Sequence, residues 1–412
     1  MKTMALNFRK HDLTRRLLLF IAVLLSGGGL YFPRAVLALG FAAFILVYFP
    51  RFKLSLRREN RNIHLWILAI VGMFLLRFSW PEASSIVMRL SNFFIGLALL
   101  HIYYRDHGDT LIPDLIWMLR PMAWQAVLTP LVYLLLPFVF LDVPIGEQQF
   151  KTAFLIFNFH AVLADGGMLV RPDGFFWEPG VFQLYLNIFL FLSLFIVRNN
   201  KYALLALLGV GATQSTTGLV IAGFLMGAAT LDRLNAKRPG SKWQALLVIA
   251  LVVPIAAGFI YNNLVEKVEG SGHGSTLIRE FDLMTGINII QEYPWMGIGF
   301  SKDNYLAAAG SYGFFESELG EEYLEERAGT SNGLVQLLYS IGIPLGLFSL
   351  FCVYRQTLMP HRFIFGTLIA LTLFGEALGF TPFILMFIFS GMQRRAPRPL
   401  PARALSPVPC NE

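Results

Sequence analysis

Long apolar runs alternate with short polar breaks along most of the chain. Runs of this length read as helices crossing a membrane, where each segment must satisfy its own backbone hydrogen bonds. Apolar length and flanking charge predict about twelve spans, at 17–31, 35–49, 63–78, 86–104, 123–141, 178–197, 203–213, 216–230, 243–261, 332–354, 363–378 and 383–392. The breaks carry turn chemistry: Pro33, Trp80-Pro81, Gln214-Ser215 and Thr381-Pro382. Arg15 and Arg16 ahead of Leu17–Leu25 resemble the start of a signal peptide. Gly27, Gly28 and Gly29 close that run without a small-x-small cleavage site, so the reading is a retained first span.

Two stretches break the pattern. The first, 262–331, is polar and holds a cluster of acids, Glu316, Glu318, Glu321, Glu322, Glu325 and Glu326. It also holds Phe281, Ile289, Tyr293, Trp295, Phe300, Tyr305, Phe314 and Phe315, enough apolar surface to pack against something. Loops this long are usually functional or disordered, and this composition points to function over a passive linker. The second stretch is 142–177. Its apolar run, Phe154–Leu163, is too short to cross, and Lys151, His160, Asp165, Arg171 and Asp173 punctuate and bound it. A crossing here would invert every later loop, so an amphipathic or half-inserted helix at the outer interface is expected.

Composition narrows the class. Charged residues make up 14% of the chain, against about 25% in soluble domains. The fold class is therefore an all-α polytopic membrane protein. Its organisation reads as spans one to five (1–141), an outer segment with an interfacial helix (142–177), spans six to nine (178–261), the large loop (262–331), spans ten to twelve (332–393) and a Pro-rich disordered tail (394–412). The net charge of +7 lies in short clusters between spans, where it acts as a topology signal and implies no nucleic acid. With both termini cytoplasmic, about two dozen of the 33 Lys and Arg fall inside. The large loop then faces outward. Cys352 lies in a span and Cys410 in the tail, which gives neither a disulfide nor a metal-ligand spacing.

Candidate chemistry gathers at the outer segments. Arg171 precedes Trp177-Glu178-Pro179-Gly180-Val181-Phe182-Gln183, where Pro179 suits a helix start and Glu178 meets the helix dipole. A guanidinium at that depth fits a diphosphate; the plainer role is an interfacial anchor. In the large loop, apolar residues from Leu277 to Ile290 recur at helical spacing. Arg279 and Asp282 share the opposite face, where an i,i+3 ion pair is the simple alternative. Ser331 or Asn332 suits a helix cap. Glu376 lies inside an apolar span, as a functional or a hydrogen-bonded structural acid. Ser215 and Thr216 interrupt two short spans and need partners inside the membrane.

Taken together, Trp177–Gln183, Thr213-Gln-Ser-Thr-Thr-Gly218, Ser275-Thr-Leu-Ile-Arg279 with Glu292-Tyr-Pro-Trp-Met-Gly-Ile-Gly-Phe300, Ser331-Asn-Gly333 and Gly342-Ile-Pro-Leu-Gly346 resemble the O-antigen polymerase and ligase superfamily. The likeness covers about residues 165 to 392 and rests on the order of the motifs. It implies a bacterial inner-membrane glycosyltransferase that takes an undecaprenyl-diphosphate-linked oligosaccharide on the outer face, with no cofactor or metal. Membrane lipids, a chain-length regulator and a flippase are the implied partners. The resemblance matches Arg171 and Arg279 to arginines thought to engage the donor diphosphate. The ligase branch carries a histidine before the re-entry helix; here that neighbourhood reads Ala328-Gly-Thr-Ser-Asn-Gly333, without one. This departure favours polymerase over ligase.

The implied chemistry is displacement at the anomeric carbon, with lipid diphosphate leaving. Arg171 and Arg279 then stabilise the leaving group. The acceptor's base is open among Glu178, Asp282, Asp173 and Asp165. Trp177, Gln183, Ser215, Thr216, Trp295, Asn332 and Glu376 are the expected substrate contacts. A transporter or flippase is the rival of another class, and the two-half repeat it calls for is not evident.

Overall fold

The computed structural model describes residues 2–48, 60–76, 83–106, 110–145, 148–164, 167–235, 273–311 and 330–393. The expected ninth span at 243–261 and the acidic cluster from Glu316 to Glu326 lie outside them. The helices are α1 (Lys2–Gly27), α2 (Arg34–Tyr48), α3 (Arg61–Leu76), α4 (Ala83–Leu100), α5 (Leu111–Leu135), α6 (Pro179–Phe191), α7 (Asn200–Thr213), α8 (Thr216–Asn235), α9 (His273–Glu292), α10 (Lys302–Ser311), α11 (Gly333–Arg355), α12 (Arg362–Gly375) and α13 (Pro382–Met392). Among the described residues, four segments are long and apolar enough to cross a membrane: Val87–Tyr104, Leu111–Leu135, Pro179–Ile196 and Gly333–Arg355. Arg34–Leu46, Arg61–Met73, Thr216–Asp232, Arg362–Gly375 and Pro382–Met392 are apolar but shorter.

The centre of the bundle is α6. Every residue from Val181 to Phe195 is buried, as a helix apolar on all sides requires. It packs against α5, α7, α8 and α12. Pro179 occupies its first turn, where a missing N–H costs nothing.

The expected interfacial helix at 142–177 is instead a four-stranded antiparallel meander, β1 (Leu141–Ile145), β2 (Gln148–Ala153), β3 (Phe157–Ala164) and β4 (Gly167–Pro172). The chain is thus not purely α-helical. The apolar run misled because a turn cuts it: Phe154 and Leu155 take positive φ (57° and 58°). Beyond that turn a strand, Phe157-Asn158-Phe159-His160, pairs back onto β2. Phe140 and Phe159 close around Tyr133 of α5, with ring centroids 5.0 to 5.4 Å apart. This fixes the sheet on the second half of α5.

The sheet also binds the α1–α2 turn. The helix α1 stops at Gly27 rather than running on to Tyr31, because Gly28 adopts φ 70°. Leu30 then donates its N–H to the Phe175 carbonyl at 2.9 Å, and Tyr31 donates to Asn158 and Thr152.

About midway along α1, Asp114 of α5 is fully buried. It accepts from Arg15 at 2.5 Å, Arg16 at 2.9 Å and Tyr103 at 3.1 Å. Asp12 completes the cluster through Arg15 at 2.8 Å. Flanking arginines that serve as topology signals in the sequence thus also lock α1 to α5.

A second device lies in α11, which breaks at Gly342 (φ 77°, ψ 161°). The break frees carbonyls, and the 294–299 loop satisfies them. Ile298 N–H reaches Tyr339 O at 2.8 Å, Gly299 N–H reaches Ser340 O at 3.1 Å, and Ile343 N–H reaches Pro294 O at 2.7 Å. A Cβ on Gly342 would lie 2.2 Å from Trp295 O, and one on Gly297 2.3 Å from Tyr339 O. The glycines of both motifs are therefore a matched joint.

Two stability measurements check these locks. Gly342→Ala is expected to lose at least about 1–2 kcal/mol from the positive φ alone, read as a lower melting temperature of purified protein in detergent. Asp114→Ala leaves Arg15 without its buried counter-charge and is expected to lose about 3–5 kcal/mol. An unchanged melting temperature in either variant contradicts the assignment.

Candidate functional site

The starts of three helices meet around Glu376, which comes directly after α12 and is almost wholly buried. A Cβ on Gly180, in the first turn of α6, would lie 2.1 Å from Glu376 Oε1. A Cβ on Gly333, at the start of α11, would lie 2.4 Å from the Glu376 carbonyl oxygen. The neighbouring Gly375 packs on Thr217, in the first turn of α8. Helix starts carry partial positive charge, so a carboxylate fits among them, and Glu376 serves here as a hub for packing.

Behind the hub sits Gln183 of α6, fully buried. Its Oε1 accepts from Asn187 at 2.9 Å, and Asn187 also donates to Gly218 O at 3.1 Å. The Gln183 Nε2 donor has no partner among the described residues. Ser215 caps α8 by accepting the Gly218 N–H at 3.3 Å. Gln214 makes the α7–α8 turn in the left-handed region, with φ 51°. Thr216 is half-buried beside it.

Arg171, at the end of β4, reaches this turn. Its Nε donates to Thr213 O at 3.3 Å, and the side chain is half-buried. Two residues on, Asp173 is fully buried against His160 of β3, whose Nδ1 lies 3.0 Å from Oδ2 and 2.9 Å from Oδ1. Burial pushes the Asp173 carboxyl up to about 6 from an ordinary 3.8, while His160 and Arg171 pull it down. An ionised Asp173 keeps the proton on Nδ1 and leaves Nε2 as the basic nitrogen. His160 is a functional candidate that sequence reasoning passed over, since a histidine and an acid 13 apart give no signal until a strand pair joins them. Phe150 stands between His160 and Trp177, at 5.7 and 5.5 Å. Trp177 and Glu178 are exposed. The Glu178 side chain makes no cap hydrogen bond, so its carboxylate is available.

The residues expected in the large loop are placed differently. Asp282 is fully buried and accepts from Tyr305 OH at 3.1 Å and from Ser331 N and Oγ, each at 2.9 Å. It ties α9 and α10 to the chain entering α11. Arg279 is exposed, and no ion pair to Asp282 is among those formed by the described residues. Asn332 caps α11, its Oδ1 accepting from Leu334 N and Val335 N at 3.1 Å each. Trp295 is strongly exposed, and its carbonyl meets Gly342. The structure thus joins Arg171, Gln183, Ser215, Thr216 and Glu376 around the α6 and α8 starts, with Trp177 and Glu178 at the edge. Asp282 and Asn332 act as fasteners.

Residues 202–352 match the model of the O-antigen ligase family. The match covers α7 to α11 with the segments between, and it supports the resemblance to the O-antigen polymerase and ligase superfamily. No curated protein and no solved structure matches the chain.

The raised Asp173 pKa has a testable sign. Between about pH 4 and about pH 6 the folded protein holds a proton that the unfolded chain gives up, so this group's stabilisation is lost as pH rises through about 6. Asp173→Asn is expected to flatten that part of the melting-temperature profile. A profile that keeps its slope in the variant removes the assignment.

Proposed function

We propose, with membership of the O-antigen polymerase and ligase superfamily as the premise, that this chain is a polysaccharide polymerase of the bacterial inner membrane. It joins undecaprenyl-diphosphate-linked repeat units on the outer face, with both termini in the cytoplasm. The observation that carries most weight is the meeting of the α6, α8 and α11 starts beside Arg171. Helix N-termini and a guanidinium both favour a diphosphate, and the donor presents one at this depth.

In this reading Arg171 stabilises the departing diphosphate, with Arg279 reaching in from α9. The acceptor hydroxyl attacks the anomeric carbon and the bond to the diphosphate oxygen breaks. Glu178, at the open edge of the site, or His160 Nε2, oriented by Asp173, takes the hydroxyl proton. Trp177 offers its face to a sugar ring. Asp282 and Asn332 hold the α9–α10 arm against α11 and so position Arg279. The absence of a histidine at 328–333 supports polymerase over ligase. The ligase reading is kept for a single outcome: a deletion strain that still builds long polymer on the lipid carrier.

Deleting the protein is expected to leave single repeat units on the carrier. Arg171→Ala should reproduce that profile at wild-type protein level, and Arg279→Lys should restore polymer poorly, since an ammonium lacks the two-point contact. Gel profiles of carrier-linked and surface glycan read both. Normal chain lengths in Arg171→Ala would sink the diphosphate assignment.

A further inference from the structure

The β2–β3 turn, Phe154-Leu155-Ile156, uses residues that turns ordinarily avoid. Phe154 and Leu155 both take positive φ, 57° and 58°. Two such positions in a row usually hold Asn and Gly, and bulky side chains there are strained. Packing does not repay that strain, because Phe154, Leu155 and Ile156 are 74%, 60% and 47% exposed. A strained backbone that presents three neighbouring apolar side chains outward points to a use beyond the protein's own core.

The backbone of this turn is prepared for a dry setting. Ala153 O accepts from Ile156 N–H at 3.1 Å, and Leu155 O accepts from Asn158 Nδ2 at 3.4 Å. Ile156 O accepts from Gln125 Nε2. That last bond also fixes the depth of the turn. Gln125 is buried near the middle of α5, a helix long and apolar enough to cross a membrane. Nearer the end of α5, Tyr133 packs on Phe159 of β3. The sheet therefore runs back along α5, and its turn lies about 12 Å deeper in the span than the Tyr133–Phe159 contact, by the rise of the helix. Charge begins only on the far side of Thr152 from the turn, where Asp142 and Lys151 pair at 2.6 Å.

We infer that the β2–β3 turn is a membrane anchor, with Phe154, Leu155 and Ile156 inserted among the acyl chains of the leaflet on the sheet's side of the bilayer. Acyl chains cover apolar side chains but offer no hydrogen bonds, so backbone can enter them only with its polar groups satisfied. The carbonyls of Ala153, Leu155 and Ile156 meet that condition. The role follows from the strands. β3 leaves the turn carrying His160, which pairs across the sheet with Arg171 of β4. A turn held in hydrocarbon sets the height at which that pair stands over the lipid. This anchorage needs the bilayer alone and holds for a polymerase, a ligase or a transporter. A protein partner is the rival cover for the three side chains, and the experiment separates the two.

The test uses the full chain in nanodiscs, carrying F154C, L155C or I156C in a C352A/C410A background and labelled with bimane. Q149C, on an exposed residue of β2 away from the turn, is the water-facing control. Phosphatidylcholine brominated on its acyl chains is expected to lower the fluorescence of the turn labels about twofold or more and to spare the control, since inserted side chains sit about 5–10 Å into the acyl boundary. Aqueous iodide is expected to quench the control and spare the turn. Three neighbouring positions are read so that a local effect of one label cannot decide the result. Iodide quenching of the turn labels at the control's level puts the turn in water and overturns the inference. Turn labels that neither agent quenches are covered by protein, which overturns it as well.

Discussion

A membrane interior offers no water to a polar group, and the arrangement of this bundle answers that constraint. The Asp114 cluster meets the demand midway along α1, where one carboxylate serves two guanidiniums and a phenol. Beyond the C-terminal end of α1 the polar groups are spread over many pieces of chain. Helix starts, the α7–α8 turn, the Glu376 hub and the sheet share their hydrogen bonds across elements. Removing any one piece there leaves several others short of partners.

The same end concentrates positive potential. Among the described residues, three helix starts meet around Glu376, with Arg171 at the α7–α8 turn, while Asp173 is occupied by His160 and Asp282 by Ser331 and Tyr305.

Much of the fold was legible in the sequence because apolar length and turn residues speak directly. The α7–α8 turn at Gln214 and the cap at Asn332 sit where local chemistry puts them. The sheet was illegible because its defining event, a left-handed turn at Phe154-Leu155, uses residues that rarely adopt it. Arg171, Glu178 and Gln183 stand out in the sequence because they lie on or beside one motif. The site was hidden where partners come from distant chain. His160 needs the β3–β4 pairing to meet Asp173. Asp282 looked like a partner for Arg279, and only the folded chain reveals Ser331 and Tyr305 as its donors.

The joint at Gly342 constrains how the α9–α10 arm can move. Residues 294–299 hold carbonyls that a broken helix cannot satisfy for itself. Swinging the whole arm away would leave those buried carbonyls without partners, at about 1–3 kcal/mol each. The loop is therefore a hasp that stays shut. Any movement of the arm has to pivot on either side of it, above Tyr293 or beyond Gly299, so that α9 and α10 act as two separate leaves rather than one door.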